Sequence, residues 1–184
     1  MSTIDVFKSC IAPTEVAALW PTDALFPQIF ASRIRNQLFL KSKSPITILL
    51  PTSSVQVSSI INCFSSTNLS SSAQLVVRAG GHSYSGYSSV AIGASPFVLV
   101  DLQNMNAITV DVTRNQATVG GGITLEKIYA AIAIAPQPSP TLKYAFPGGS
   151  CPTVGFGTCR FISRWLRAGR RNRYVNAEIR SCIR

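Results

Sequence analysis

The stretch "LVVRAGGHSYSGYS", Leu75 to Ser88, opens as an apolar, β-branched run and breaks at two successive glycines, Gly80 and Gly81. A short apolar run bounded by turn residues reads as a buried strand. A glycine pair at a strand end lets the backbone take positive φ and approach another group closely. Successive N–H groups in such a turn can form an anion-binding concavity. His82, the only histidine in the chain, comes next, and Ser83 and Ser85 add hydroxyl donors. This chemistry suits a pyrophosphate. The pattern is neither GxGxxG nor a Walker loop, so by itself it also fits a polar turn carrying a solvated histidine.

Working outward, "ITILLP" is a second buried strand, ended by Pro51. Between the two lies "TSSVQVSSIINCFSST". Ser53 followed by Gln56 predicts a capping box. Val57, Ile60, Ile61 and Phe64 fall at helical spacing on one face, with Cys63 beside it. Strand, helix, strand is a βαβ unit if the strands are parallel. "FVLVDL" (Phe97 to Leu102) is a third strand. "ITVDVTRNQATVGGG" reads as a hairpin turning at Arg114-Asn115. Thr124 then predicts the N-cap of a helix carrying Leu125, Ile128, Tyr129 and Ile132. Residues 1–20 read as a short helical leader with Pro13 at a first turn, and "IFASRIRNQL" as either a helix or an irregular connection.

Composition agrees with a packed domain. Hydrophobic residues make up 46% of the 184 and charged residues 13%, which excludes a disordered chain. No apolar run reaches the roughly 18 residues of a membrane span. The N-terminus lacks the basic and apolar regions of a signal peptide. The net charge of +10 suggests a nucleic-acid partner at first, but its distribution argues against one. Residues 1–159 hold nine Lys/Arg and six Asp/Glu, whereas residues 160–184 hold eight Arg and one Glu. The basicity belongs to the tail. Five cysteines stand at 10, 63, 151, 159 and 182, none spaced as CxxC. No structural zinc site is expected, and the odd count leaves at least one thiol outside any intramolecular disulfide.

Two further glycine-rich stretches complete the pattern: "VGGG" (Val119 to Gly122) and "PGGSCPTVGFG" (Pro147 to Gly157). Each is a weak signal alone. In this order and combination, "VVRAGGHSYSGYS", "VLVDLQNMNAITVD", "ATVGGGITLEKIYAAI" and "CPTVGFG" resemble the FAD-linked oxidases of the PCMH type. Within them the match is to the berberine-bridge-enzyme-like (oligosaccharide-oxidase-like) branch, over about residue 5 to Gly157. The resemblance implies FAD as cofactor, with Arg78, Ala79, Gly80, Gly81, His82, Ser83 and Tyr84, then Gly121 and Gly122, then Cys151, Val154, Gly155 and Gly157 as its binding residues. It implies flavin attachment through His82 to the 8α carbon and through Cys151 to C6, and a disulfide between Cys10 and Cys63. It also implies a small-molecule substrate (a sugar, an alcohol or a secondary metabolite) with O2 as electron acceptor. Asp101, at a strand end, reads as structural or near the cofactor rather than as a base.

Beyond Gly157 the resemblance stops. Where the family continues with glycines, this chain reads "TCRFISRWLRAGRRNRYVNAEIRSCIR". A shifted reading of glycine codons yields arginines, so the expectation is the N-terminal portion of a longer enzyme, truncated or frameshifted. The alternative is a non-catalytic flavin-binding remnant, or a binding protein acting through its basic tail. The expected fold is α+β: a PCMH-type FAD-binding domain of two α/β subdomains, the second incomplete and leaving an exposed sheet edge. The expected organisation is a leader (1–39), the partial domain (40–157) and a non-family tail (158–184).

Overall fold

The apolar runs on either side of the glycine loop pair with one another as parallel strands, and the rest of the fold is laid over them. The computed structural model describes residues 1–36, 38–39, 44–137, 143–157, 173–174 and 176–178. In chain order the elements are α1 (Thr3–Ile11), β1 (Ala17–Leu19), α2 (Phe26–Ser32), β2 (Thr47–Leu50), α3 (Ser54–Ser66), β3 (Gln74–Arg78), β4 (Phe97–Asp101), β5 (Ile108–Asp111), β6 (Gln116–Val119), α4 (Leu125–Ile134), β7 (Tyr144–Ala145), β8 (Arg173–Tyr174) and β9 (Asn176–Glu178).

The first sheet has the order β1-β2-β4-β3. β2 and β3 flank β4 and run parallel to it, while β1 pairs antiparallel with β2. Every residue of β2 and β4 is buried, as strands covered on both faces must be. Side chains alternate between two cores. Leu49, Val98 and Val100 pack with Phe7 and Ile11 of α1 and with Val57, Ile60 and Phe64 of α3. Ile48, Leu50, Val76 and Leu99 face the other way, onto Phe26 and Phe30 of α2 and onto Ile34. This is the expected α/β layer, and α3 bridges β2 and β3.

The helix ends show which local signals hold. Ser53 caps α3, accepting from the Gln56 N–H at 3.3 Å. The predicted box is only half formed, because Gln56 Oε1 accepts instead from the Thr52 N–H and hydroxyl at 2.8 and 3.0 Å. Val57, Ile60 and Phe64 are buried as predicted, and so is Cys63, while Ile61 is half-buried at the edge of the core. Pro13 does not open the first helix. α1 begins at Thr3 with a capping box of Ser2 and Asp5, and Pro13 lies in the 3₁₀ turn Ala12–Thr14 that follows it. A proline cannot supply the N–H needed to continue the helix. The "IFASRIRNQL" segment is helical through Ser32 and irregular after it.

The second, smaller unit is built on the β5–β6 hairpin, whose turn places Asn115 at φ 53°. Asparagine tolerates the left-handed region better than most residues. α4 packs on the hairpin through Leu125, Ile128 and Ile132, together with Ala117, Val119, Ile123 and Phe156. The hairpin gains a third strand along β6, so the sheet has the order β5-β6-β9 and its edges are β5 and β9. β9 runs parallel along β6, with Ala117 opposite Ala177, and β8 pairs with β7. Backbone groups of the basic tail thus satisfy part of an edge that would otherwise be open. The tail helix suggested by Phe161, Ile162, Trp165 and Leu166 lies outside the described residues. Among the described residues, no helix is long and apolar enough to cross a membrane.

A disulfide joins Cys10 of α1 to Cys63 of α3 across 53 residues, with the Cα atoms 5.8 Å apart. It ties the leader helix to the main layer, as the resemblance implies. For a loop of this length, chain entropy gives a stabilisation of roughly 4 kcal/mol. Replacing both cysteines with serine should lower the unfolding free energy by about that amount, read from the urea midpoint against the oxidised chain. An unchanged midpoint would show the crosslink to be incidental.

Candidate functional site

The glycine loop leaves the sheet from a buried ion pair. Arg78 and Asp101, opposite each other at the ends of β3 and β4, have fully buried side chains. Arg78 Nε and Nη2 donate to Asp101 Oδ2 at 2.9 and 2.7 Å. Nη1 and Nη2 also donate to the carbonyls of Phe30 and Ile29, both at 2.8 Å. Burial draws the Arg78 pKa down and the Asp101 charge opposes it. Asp101 Oδ1 accepts from Arg33 Nη1 at 2.8 Å and from the Gln103 N–H at 3.0 Å. The side chain of Arg78 is therefore turned into the protein and occupied. Asp101 is engaged on both carboxylate oxygens, in the place that the sequence reads as structural or near the cofactor.

Beyond Arg78, the loop packs against the cysteine loop. A methyl group at Gly80 would run into the backbone of Gly155, so the two chains can meet only at glycine. Gly81 takes φ 71°, with the Arg33 carbonyl where a side chain would stand. Ala79 is buried, whereas Tyr84 is 78% exposed and its carbonyl accepts from Asn36 Nδ2 at 2.9 Å. Gly121 and Gly157 lie backbone to backbone.

The cysteine loop is fixed by the start of α4. The first N–H groups of a helix lack intrahelical partners. Here the Leu125 N–H donates to the Val154 carbonyl at 3.0 Å and the Glu126 N–H to the Pro152 carbonyl at 2.9 Å. Thr124 does occupy the N-cap, but its hydroxyl turns to Glu126 because loop carbonyls do the capping. Tyr129 Oη donates to the Gly149 carbonyl at 2.6 Å, and Phe156 inserts into the α4 core.

These supports bring His82 and Cys151 together. Cys151 Sγ lies 3.9 Å from His82 Nδ1. Cys151 is exposed and free; the cysteines at 159 and 182 lie outside the described residues. His82 Nε2 faces Thr153 Oγ1 at 2.7 Å and Arg35 Nε at 3.1 Å. Desolvation, then the charges of Arg35 and Arg33, hold the His82 pKa below 6.5, so the ring is neutral at pH 7.

A family model described as FAD binding domain matches residues 45–157. The chain belongs to the FAD-binding domain family, and the curated relatives it matches include berberine bridge enzyme-like proteins. It is 43% identical over 165 residues to berberine bridge enzyme-like D-1 of Nicotiana tabacum, covering 85% of this chain and 27% of that protein. It is 38% identical over 138 residues to reticuline oxidase of Papaver somniferum, covering 74% and 24%. Among solved structures it superposes on a variant of Phl p 4, described as a glucose dehydrogenase, with TM-score 0.69, 31% identity and coverage of 82% and 30%. The chain spans about a quarter of the length of the curated relatives it matches.

This FAD-binding domain has room and donors for the cofactor. One polar cavity of about 380 Å³ is lined by Gly80, Gly122, Arg33, Arg35, Asn104 and Thr153. A second, of about 350 Å³, is lined by His82, Ser83, Tyr87, Ser88, Val154 and Gly155. Ser88 Oγ is buried in the second without a partner among the described residues. The N–H groups of Gly81 and His82 likewise meet no acceptor among the described residues. Unpaired buried polar groups call for a partner. Arg33, Arg35 and Asn104 lie outside the glycine-rich stretches, and Thr153 lies within one without being read as a site residue. Their place depends on which segments the sheet brings near the loop.

Two substitutions test this support. Arg78→Met should destabilise the domain by about 3–5 kcal/mol, because Asp101 would remain buried with half its partners gone. Gly80→Ala should cost about 1–3 kcal/mol by forcing the two loops apart. Chemical denaturation of each variant measures both, and wild-type midpoints would contradict the assigned roles.

Proposed function

We propose that this chain is the flavin-anchoring part of an FAD-dependent oxidoreductase, holding FAD covalently through His82 and Cys151. The observation that carries the reading is the 3.9 Å approach of Cys151 Sγ to His82 Nδ1, from loops 69 residues apart. Two nucleophilic side chains converging beside a cavity that His82 lines suit attachment at two positions along one edge of the flavin ring. Bound FAD supplies the hydride-accepting ring.

The chain's own residues divide the remaining work. Gly80, Gly81 and Gly122 bring backbone close to the cofactor, and the N–H groups of Gly81 and His82, which meet no acceptor among the described residues, are donors for its pyrophosphate. Ser83, Val154 and Gly155 wall the second cavity beside His82. Arg33 and Arg35 add positive charge at the first, favourable to an anion. Arg78, Ala79, Gly121 and Gly157 act by packing behind these groups, and Tyr84 sits on the outer side of the loop. A neutral imidazole is the form that can act as a nucleophile. The substrate class follows the family: a sugar, an alcohol or a secondary-metabolite carbon, with O2 as acceptor and the rest of the relatives' length supplying the pocket.

Intact mass of the chain after incubation with FAD and acid denaturation tests the reading. The expected result is a yellow, acid-stable product heavier by one FAD. His82→Ala or Cys151→Ala alone should leave one attachment, and the double variant none. An unmodified mass, or an adduct surviving in the double variant, would sink the proposal; a colourless chain would favour a non-catalytic role. Adduct formation in Cys151→Ala, through His82 alone, should slow as falling pH protonates the ring, at a pH below the ordinary histidine range. Single-time-point mass spectra across pH 4–8 measure this.

A further inference from the structure

Arg35 makes two contacts that constrain each other. Its Nε donates to His82 Nε2 at 3.1 Å, and its Nη2 donates to Thr153 Oγ1 at 2.7 Å. Thr153 Oγ1 in turn lies 2.7 Å from the same His82 Nε2, closing a three-residue ring. A guanidinium can only donate. The Thr153 oxygen therefore accepts from Arg35 and keeps its own proton to offer to His82. Nε2, facing a donor on each side, must present its lone pair. A proton on Nε2 would set N–H against N–H. In the neutral ring the single proton belongs on Nδ1, the atom that faces Cys151 Sγ.

We propose that Arg35, braced by Thr153, is a positioning residue that fixes His82 as a neutral ring with its one proton on Nδ1, turned toward Cys151. The proposal rests on the reading of His82 as the flavin attachment point and says how the ring is held before attachment, which requires either the Nδ1 proton to leave or the Nε2 contacts to open. The tautomer decides which nitrogen is presented to which partner, and here both the orientation and the proton are set before any ligand arrives.

The groups facing His82 support the assignment. Arg35 and Arg33 come from the segment after α2, Cys151 and Thr153 from the cysteine loop, and Tyr87 from the glycine loop itself. Asp101 is fully buried and engaged by Arg33 and Arg78. The charges that act on the His82 ring are those of Arg35 and Arg33. The single-residue origin of the clamp is notable in the sequence: Arg35 lies in "IFASRIRNQL", outside all three glycine-rich stretches.

Because the chain has one histidine, ¹⁵N-histidine labelling of the full chain gives one pair of ring nitrogens, read without flavin. The expected spectrum at pH 7 is the Nδ1–H tautomer, with a titration midpoint below 6.5. Arg35→Met should raise the midpoint toward the ordinary histidine value and move the proton toward Nε2. Arg35→Lys keeps the charge and loses the fork, so its midpoint should stay low while the tautomer still shifts. Thr153→Val should shift the tautomer with little change in midpoint. An Nε2–H tautomer in the unmodified chain overturns the proposal without recourse to any variant. So does an Arg35→Met spectrum unchanged in both respects, which would leave Arg35 a merely structural contact. In the presence of FAD, the unmodified chain should form the covalent adduct of the proposed function. No adduct in the unmodified chain, with the Nδ1–H tautomer intact, would instead remove the attachment reading and leave the clamp standing.

Discussion

The buried pair of Arg78 and Asp101 is the constraint on which the site depends. Two charges withdrawn from water are tolerable only when each is fully hydrogen-bonded, and this pair is: Arg78 holds Asp101 and two carbonyls at the end of α2, while Asp101 holds Arg33 and the Gln103 N–H. Four segments are thereby fixed relative to one another at the carboxyl ends of β3 and β4. The glycine loop must leave from this point, and Arg33 must reach the cleft from it. A hydrophobic pair could hold the two strands together, but it would orient neither Arg33 nor the end of α2.

From that anchor the site is assembled by close backbone approach. Gly80 meets Gly155, and Gly121 meets Gly157, at distances that exclude any side chain. The cysteine loop cannot pair as a strand over most of its length, so it borrows the unsatisfied N–H groups at the start of α4. One helix terminus thus both caps itself and sets the height of Cys151. The hydrophobic insertion of Phe156 among the α4 side chains secures the arrangement from below. Rigid support of this kind suits a site that must hold two reactive side chains near each other.

Much of this was legible in the sequence for physical reasons that can be named. β2 and β4 are buried on both faces, so their apolar runs stand out. α3 carries a cap residue and a helical apolar face, and both signals are local. The three glycine-rich stretches mark places where the backbone needs freedom that side chains forbid. Other features were not legible because they are products of distance. Arg78 looks like a ligand residue at the start of a binding loop, and only the burial of its side chain against Asp101 shows otherwise. Gln56 has the right spacing for a box yet finds a better partner in Thr52. β9 pairs with β6 although nothing in its composition announces a strand.

The sequence by itself determined the family, the α+β class, the parallel core and the identity of the two side chains best suited to hold a flavin. These follow from local signals: hydrophobic runs, glycine pairs, caps and the order of motifs. Only the tertiary structure decided that His82 and Cys151 meet, that the Arg78 side chain is buried against Asp101 and that Arg35 and Thr153 close on the His82 ring. The reason is that a hydrogen bond depends on a few tenths of an ångström between groups as many as 118 residues apart. No periodicity in the chain encodes that distance; it is set by how strands, helix ends and loops pack on one buried charge pair.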